Sequence, residues 1–255
     1  MKSISCRIIV VLAAFGIFSC SDDDPESGPA PELPAGTTVM MNFETFSAAD
    51  GRTYSLGHAH RAGTHVASWK NILTMDLAIP VNAFLASDGK KAEYTNGEWV
   101  WSYEYNTNSE TYQAEIHAVE ADTADQAWKM FISQPGNFEG FMWMEGVSSH
   151  DLKSGQWTIY DNPENNAPAL HIHWKSNGDG EITDMKYVVN KGDFIQYVFT
   201  GEEPFSAYYN IEANKQPVTI EWHLEKKNGS IIEPTHYLDD LPRCWSSSFE
   251  DIDCG

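Results

Sequence analysis

The chain has 255 residues and carries 37 aspartates and glutamates against 16 lysines and arginines, which gives a formal net charge of −21 at pH 7. Such a negative chain repels nucleic acid and anionic membrane surfaces, so nucleic acid is excluded as a partner. The length is sufficient for one β-rich domain with a sizeable core.

Residues 1–19 have the pattern of a secretory signal peptide. Lys2 and Arg7 form a positive start, and an uncharged, mostly apolar run follows over residues 8–18. That run is too short to span a bilayer, which takes about 20 apolar residues. We therefore expect residues 1–19 to be removed on export.

The segment Gly16-Ile17-Phe18-Ser19-Cys20 resembles the lipobox of bacterial lipoproteins, in which an apolar residue stands three places before a cysteine and a small residue directly before it. Ile17 and Ser19 occupy those places. The resemblance implies cleavage before Cys20 and acylation of that residue, and the attached chains would hold the protein to a membrane. The alternative is an ordinary signal peptide with a chance cysteine.

The next four residues, Ser21-Asp22-Asp23-Asp24, resemble the acidic export tag of surface-exposed lipoproteins of the Bacteroidota. The resemblance implies a place in the bacterial outer membrane facing the cell exterior, whereas the simpler alternative is an acidic stretch that stays solvated. Residues 20–36 are rich in proline and acids and predict a tether that leads to one domain over residues 37–255.

Two cysteines remain for that domain, because Cys6 leaves with the signal peptide and Cys20 carries lipid. In an oxidising compartment Cys244 and Cys254 are predicted to form a disulfide, which would stabilise the domain by about 2 to 3 kcal/mol. A redox role is less favoured, because the pair does not have Cys-x-x-Cys spacing.

One helix is predicted between Thr64 and Ser87, where large apolar residues recur at roughly helical spacing. Thr64 is the predicted N-cap. Pro80 predicts a stop near Ala78 and a restart with proline in the first helical turn. The residues that carry this pattern are Val66, Trp69, Leu73, Leu77 and Phe84.

From Glu98 onward the apolar pattern changes to a period of two and predicts about nine to eleven antiparallel strands. Turns are predicted at several short polar stretches, among them Ser154-Gly155 and Asn228-Gly229. The predicted fold is therefore mainly β, an antiparallel meander forming a curved sheet or barrel with the helix packed on or in it. This architecture resembles lipocalin-like barrels and the unclosed barrels of the LolA and LolB lipoprotein-sorting proteins, although fold alone does not define function.

Aromatic side chains on the predicted inward face give the first candidate site, a pocket for an apolar ligand. The alternative is that these rings only fill the core. The candidate residues are Trp99, Trp101, Tyr103, Trp128, Trp174 and Trp222. A second candidate is a sugar-stacking surface formed by Phe141, Trp143, Trp157 and Tyr160.

Histidines are candidate metal ligands, since His171 and His173 share a strand face and His58, His60 and His65 cluster before the predicted helix. A metal site needs three or four convergent ligands, and this spacing does not supply them, so no metal site and no cofactor is predicted. No catalytic motif is present, and no catalytic residue is predicted.

These observations favour a non-enzymatic binding module over an enzyme. We expect a lipid-anchored protein that binds a small apolar or glycan ligand. The alternatives are a structural accessory subunit of a cell-envelope complex, with an envelope protein as partner, and a glycan hydrolase, which would need two carboxylates facing each other across a cleft.

Overall fold

The computed structural model describes residues 28–41, 43, 57–107, 109–119, 125–177, 179–189 and 192–255, and the predicted signal peptide and Cys20 lie outside them. The helical segments are a 3-10 turn at Gly36–Val39, α1 at His58–Asn71, a π-helical segment at Ile72–Asp76, α2 at Ala78–Leu85 and α3 at Pro234–Tyr237. The strands are β1 Glu93–Thr95, β2 Glu98–Thr107, β3 Glu110–Val119, β4 Asp125–Gln134, β5 Phe138–Ser149, β6 Ser154–Asn162, β7 Asn165–Ser176, β8 Ile182–Val189, β9 Phe194–Phe199, β10 Ala207–Ala213, β11 Gln216–Trp222, β12 Gly229–Ile232, β13 Arg243–Trp245 and β14 Asp251–Ile252.

All 14 strands belong to one sheet in which each strand pairs with the next along the chain, and every pair is antiparallel. The prediction of a mainly β meander is confirmed. Over the described residues the sheet is curved and does not close, because β1 and β14 are its two edges. The strands beyond the predicted number are short ones near the edges, such as β1 and β14.

The predicted alternation decides which side chains enter the core. On β3, Tyr112, Ala114, Ile116 and Ala118 are all buried, and most of the residues between them are exposed. The helices pack on the same face of the sheet, so that Val66, Trp69 and Phe84 join one continuous core with the inward-facing residues of the strands. Apolar burial of this kind drives folding, and the period-two pattern directs it to one face.

Glycines make room for the tryptophans of neighbouring strands. Gly146 pairs with Trp157 across the β5–β6 ladder, and a Cβ on Gly146 would come within 2.4 Å of that indole. Gly155 stands in the same relation to Trp174, and Gly229 to Trp245. The large rings therefore lie flat over positions without side chains.

This packing corrects two predicted turns. Ser154-Gly155 was expected to be a turn, but both residues lie in β6, and the preceding connection runs over residues 150–153. Gly229 opens β12 rather than belonging to a turn. In each case the glycine is needed because it leaves room for a neighbouring indole, and not because the chain makes a tight turn there.

The predicted helix begins earlier than expected. α1 begins at His58, and Thr64 lies inside it, where its hydroxyl donates to the His60 carbonyl at 3.0 Å. Thr64 is therefore not the N-cap. The first free N–H, that of His58, instead donates to the carboxylate of Asp251 on β14 at 2.8 Å, a contact between residues 193 positions apart. The break before α2 is confirmed, with Pro80 in its first turn.

The carboxyl end of the chain closes on itself through the predicted disulfide, which joins Cys244 on β13 to Cys254. At the other end, Leu33 packs against the core and Pro34 is buried, so packing begins a little before residue 37. Among the described residues no helix is both long enough and apolar enough to cross a membrane.

Candidate functional site

A cavity of about 1320 Å³ lies where the amino-terminal segment, the helices and β2 meet. Its walls come from residues 30–37, 40, 41 and 43, from the end of α1 and the π-helical segment after it, from the length of α2, and from the turn at residues 87–92. Most of the large lining side chains are apolar: Leu33, Met41, Phe43, Leu73, Val81, Phe84, Leu85 and Trp101. This lining is suited to an apolar ligand.

Small side chains leave this space open. Ala35, Gly36 and Ala78 stand on its walls where the rest of the core has large rings. Gly36 lies so close to α2 that a Cβ there would come within 2.7 Å of Leu85 Cδ2. The amino-terminal segment therefore packs closely against α2 at this point of the wall.

Hydrogen bonds from β2 and β8 hold the walls in place. The Tyr103 hydroxyl donates to the Ala83 carbonyl of α2 at 2.7 Å, and burial raises the pKa of that hydroxyl, which keeps it protonated as a donor. The Tyr187 hydroxyl donates to the Val39 carbonyl at 3.0 Å in the amino-terminal segment. Burial raises the pKa of Tyr187 as well. Both walls are thus tied to the sheet.

Charged side chains surround the mouth of the cavity. Lys70 is half-buried at the end of α1, and Lys90 and Lys91 are exposed in the turn after α2. Glu32 and Asp88 lie at the same mouth. The sequence patterns did not single out these lysines, although the adjacent pair Lys90-Lys91 in so acidic a chain could have pointed to them.

The six aromatic residues predicted to bind a ligand are divided by the structure. Trp101 is the member of the set that lines the cavity. Tyr103, Trp128, Trp174 and Trp222 are buried in the core, and Trp99 is half-buried against Tyr94, with 5.2 Å between the ring centroids. The core rings have specific partners: Trp128 Nε1 donates to Ser148 Oγ at 2.9 Å, and Trp222 stacks on Tyr209.

The residues of the predicted sugar-stacking surface offer little free ring face. Trp157 is 1% exposed and packs edge to face with Phe84, and Trp143 is 4% exposed beside Phe141. The Tyr160 hydroxyl donates to Glu145, and this bond raises the pKa of Tyr160 to about 12. These rings are engaged within the fold.

The histidines lie apart from the cavity. His171 and His173 lie on β7, and His171 Nδ1 is 3.1 Å from Thr158 Oγ1. Burial together with the charges of His171 and Lys186 lowers the pKa of His173. His58, His60 and His65 lie within α1 rather than before it. In the part of the chain that the structure describes, no group of three or more histidine, cysteine, aspartate or glutamate side chains has an arrangement that would hold a metal ion.

A second polar cluster ties α1 to the carboxyl-terminal strands. Glu233 is 4% exposed and accepts two hydrogen bonds from Arg61, one of them from Nε at 2.7 Å. His65 Nε2 lies 3.2 Å from the same carboxylate, which is an ion-pair distance without an aligned hydrogen bond. Burial opposes the charge of Glu233, but the hydrogen bond from Arg61 and the charge of His65 outweigh it and lower the pKa of the carboxyl.

The chain matches no protein-family model, no curated protein and no solved structure. The function is therefore argued from the cavity and from the sequence of the anchor region.

Proposed function

We propose that this protein is a lipid-anchored lipoprotein of the bacterial outer membrane that faces the cell exterior and binds a small apolar ligand in its cavity. The observation that carries the binding proposal is the cavity of about 1320 Å³ with its apolar wall. Ligand pockets are typically lined in this way, with a few polar groups at defined positions. No chemical step is assigned to the protein.

An apolar ligand has stronger support than a glycan. A sugar site needs aromatic faces that are free to stack, and Trp143 and Trp157 are covered by neighbouring residues. The apolar part of the cavity wall presents aliphatic and thioether groups beside the phenyl rings of Phe43 and Phe84 and the indole of Trp101. Such a surface gains free energy from excluding water when an apolar group binds.

The anchor is supported by the sequence around Cys20. If the lipobox is used, Cys20→Ala removes the acylated residue, and the protein should move from the membrane fraction to the soluble fraction. Cys6→Ala is a matched control, because it makes the same change at the cysteine that is removed with the signal peptide, and it should leave the protein in membranes. Retention of Cys20→Ala in the outer membrane would contradict the anchor.

Binding is tested with the unacylated full chain carrying Cys20→Ala, titrated with the neutral fluorescent probe N-phenyl-1-naphthylamine. We expect saturable enhancement of the probe's fluorescence. Val81→Phe places a ring in the cavity and should weaken probe binding by at least about tenfold, because the ring occupies the volume that the probe needs.

Val198→Phe is the control for that substitution. Val198 is half-buried on β9, on the face opposite to Tyr197, and lies away from the cavity wall. It adds the same atoms and should leave probe affinity unchanged. Thermal unfolding of both variants shows whether they are folded. No saturable binding by the parent chain, or equal binding by Val81→Phe, would refute the cavity as the site.

A further inference from the structure

The charge balance at the mouth of the cavity differs in sign from that of the whole chain. Over the whole sequence acids outnumber bases 37 to 16. Among the described residues that line the cavity there are three lysines, Lys70, Lys90 and Lys91, and two carboxylates, Glu32 and Asp88. An anion that the molecule as a whole repels therefore meets an excess of positive charge among these described residues.

Among the described residues none of the three lysines forms an ion pair. Lys90 Nζ lies 5.7 Å from the centroid of the Tyr103 ring, which places its charge near the cavity wall at a distance where the ring attracts it weakly. The ammonium groups are thus available to a bound anion.

The lysines lie on two sides of the apolar space. Lys70 belongs to the last turn of α1, and Lys90 and Lys91 follow α2 in the turn that leads to β1. Lysine stems pack along apolar surface and keep the charged end in water. A ligand whose tail lies among the apolar side chains would therefore have its head at the level of the lysine ammonium groups.

We infer that the cavity selects a single-chain amphiphile with a carboxylate head, that is, a long-chain fatty acid. The inference rests on the proposed function, since it specifies the ligand of the same cavity. A purely polar anion would gain no hydrophobic free energy from the apolar wall. A neutral apolar molecule would form no ionic interaction with the lysines. A carboxylate on an acyl chain meets both surfaces at once.

The test compares two ligands that differ only in the head group. Dodecanoate and dodecanol, each below the concentration at which it aggregates, compete with N-phenyl-1-naphthylamine for the Cys20→Ala chain. We expect dodecanoate to bind about five- to twentyfold more tightly, because each exposed ion pair contributes about two- to fivefold. Raising the salt concentration should reduce the difference.

The lysines are tested by the double variant Lys90→Gln with Lys91→Gln. It should remove most of the preference for dodecanoate, with Lys70 supplying what remains, and leave dodecanol binding unchanged. Lys129→Gln with Lys175→Gln is the matched control, because it removes the same charge from exposed outward positions on β4 and β7. The control should keep the preference for dodecanoate.

The outcomes separate the two proposals. If neither ligand displaces the probe, the apolar binding function itself is wrong. If both displace it equally, cavity binding stands and selection for an anionic head is overturned. Tighter binding of dodecyl phosphate than of dodecanoate would overturn the assignment to a carboxylate, and loss of the preference in the control variant would overturn the role of Lys90 and Lys91.

Discussion

The two ends of the helical layer meet the sheet in different ways. At the α1 end, Arg61 and Glu233 form a buried ion pair, and the first N–H of the helix bonds to Asp251 on β14. At the α2 end, tyrosine hydroxyls hold the helix to β2, and a cavity with three lysines at its mouth remains beside it. One end is filled and its charges are paired, whereas the other is partly empty.

This difference suggests that the α1 end serves mainly to stabilise the fold and that the α2 end serves mainly to bind a ligand. A charge that a neighbour already neutralises has little attraction left for a ligand, and removing one partner of such a buried pair destabilises the fold. A charge without such a neighbour, beside unfilled apolar space, contributes little to stability and is available for recognition. We therefore expect substitutions at the α1 end to change stability, and substitutions at the α2 end to change binding.

The largest effect is expected from Arg61→Ala. The substitution leaves the Glu233 carboxylate buried, with the imidazole of His65 at 3.2 Å as its nearest remaining side chain of the cluster. Breaking a buried pair in this way costs about 3 kcal/mol, at the lower end of the usual range because the Arg61 side chain is itself 37% exposed. Urea unfolding followed by tryptophan fluorescence measures the loss. Lys226→Ala, which breaks an exposed pair with Glu203, should leave the unfolding midpoint close to that of the parent.

An Arg61→Ala midpoint as high as that of Lys226→Ala would show that the α1 end is not held by this ion pair. The comparison between the two ends would then lose its first support.

A somewhat smaller effect is expected from opening the disulfide. Cys244→Ala with Cys254→Ala should lower the free energy of unfolding by about 2 to 3 kcal/mol, because the bridge restricts the unfolded chain. It also keeps β13 and β14 together, and β14 carries the Asp251 carboxylate that accepts from α1. Reduction of the parent should reproduce the loss and leave the double variant unaffected. Alkylation of both thiols in the folded, unreduced parent would rule out the bridge.

The α1 end is also expected to be sensitive to acid. The pKa of Glu233 is lowered in the folded state, so its contribution is fully present above the ordinary glutamate pKa of about 4.3. As the pH falls through the lowered pKa, the folded state takes up a proton and the contribution is lost. At pH values below about 4.3, the unfolding midpoint of the parent should therefore decrease more steeply with falling pH than that of Glu233→Gln. Parallel profiles for the two chains would show that Glu233 is not responsible.

The sequence predicted the features that depend on local pattern. The period-two alternation of residues such as Tyr112 and Ile116 placed the strands and their inward faces, because one face of a strand must enter the core. Pro80 marked the break between the helices, since proline fits the first turn and not the interior. Cysteine counting gave the disulfide.

The features that the sequence did not predict depend on contacts between distant segments. α1 begins at His58, where its first N–H meets Asp251, and no local signal around Thr64 reveals that partner. Gly155 has the composition of a turn, but the indole of Trp174 requires it inside a strand. The cavity is the feature that local sequence patterns predict least, because its volume depends on how the amino-terminal segment and α2 pack together.

The smallest effect on stability is expected at the lysines of the α2 end. Lys90→Gln with Lys91→Gln should change the free energy of unfolding by less than about 0.5 kcal/mol, because both side chains are exposed and, among the described residues, form no ion pair. The same urea titration that detects Arg61→Ala measures this difference. Here a null result is informative, since a loss of fatty-acid binding without a loss of stability assigns these charges to recognition. A destabilisation comparable to that of Arg61→Ala would mean that both ends of the helical layer are held by charge, and the contrast between them would disappear.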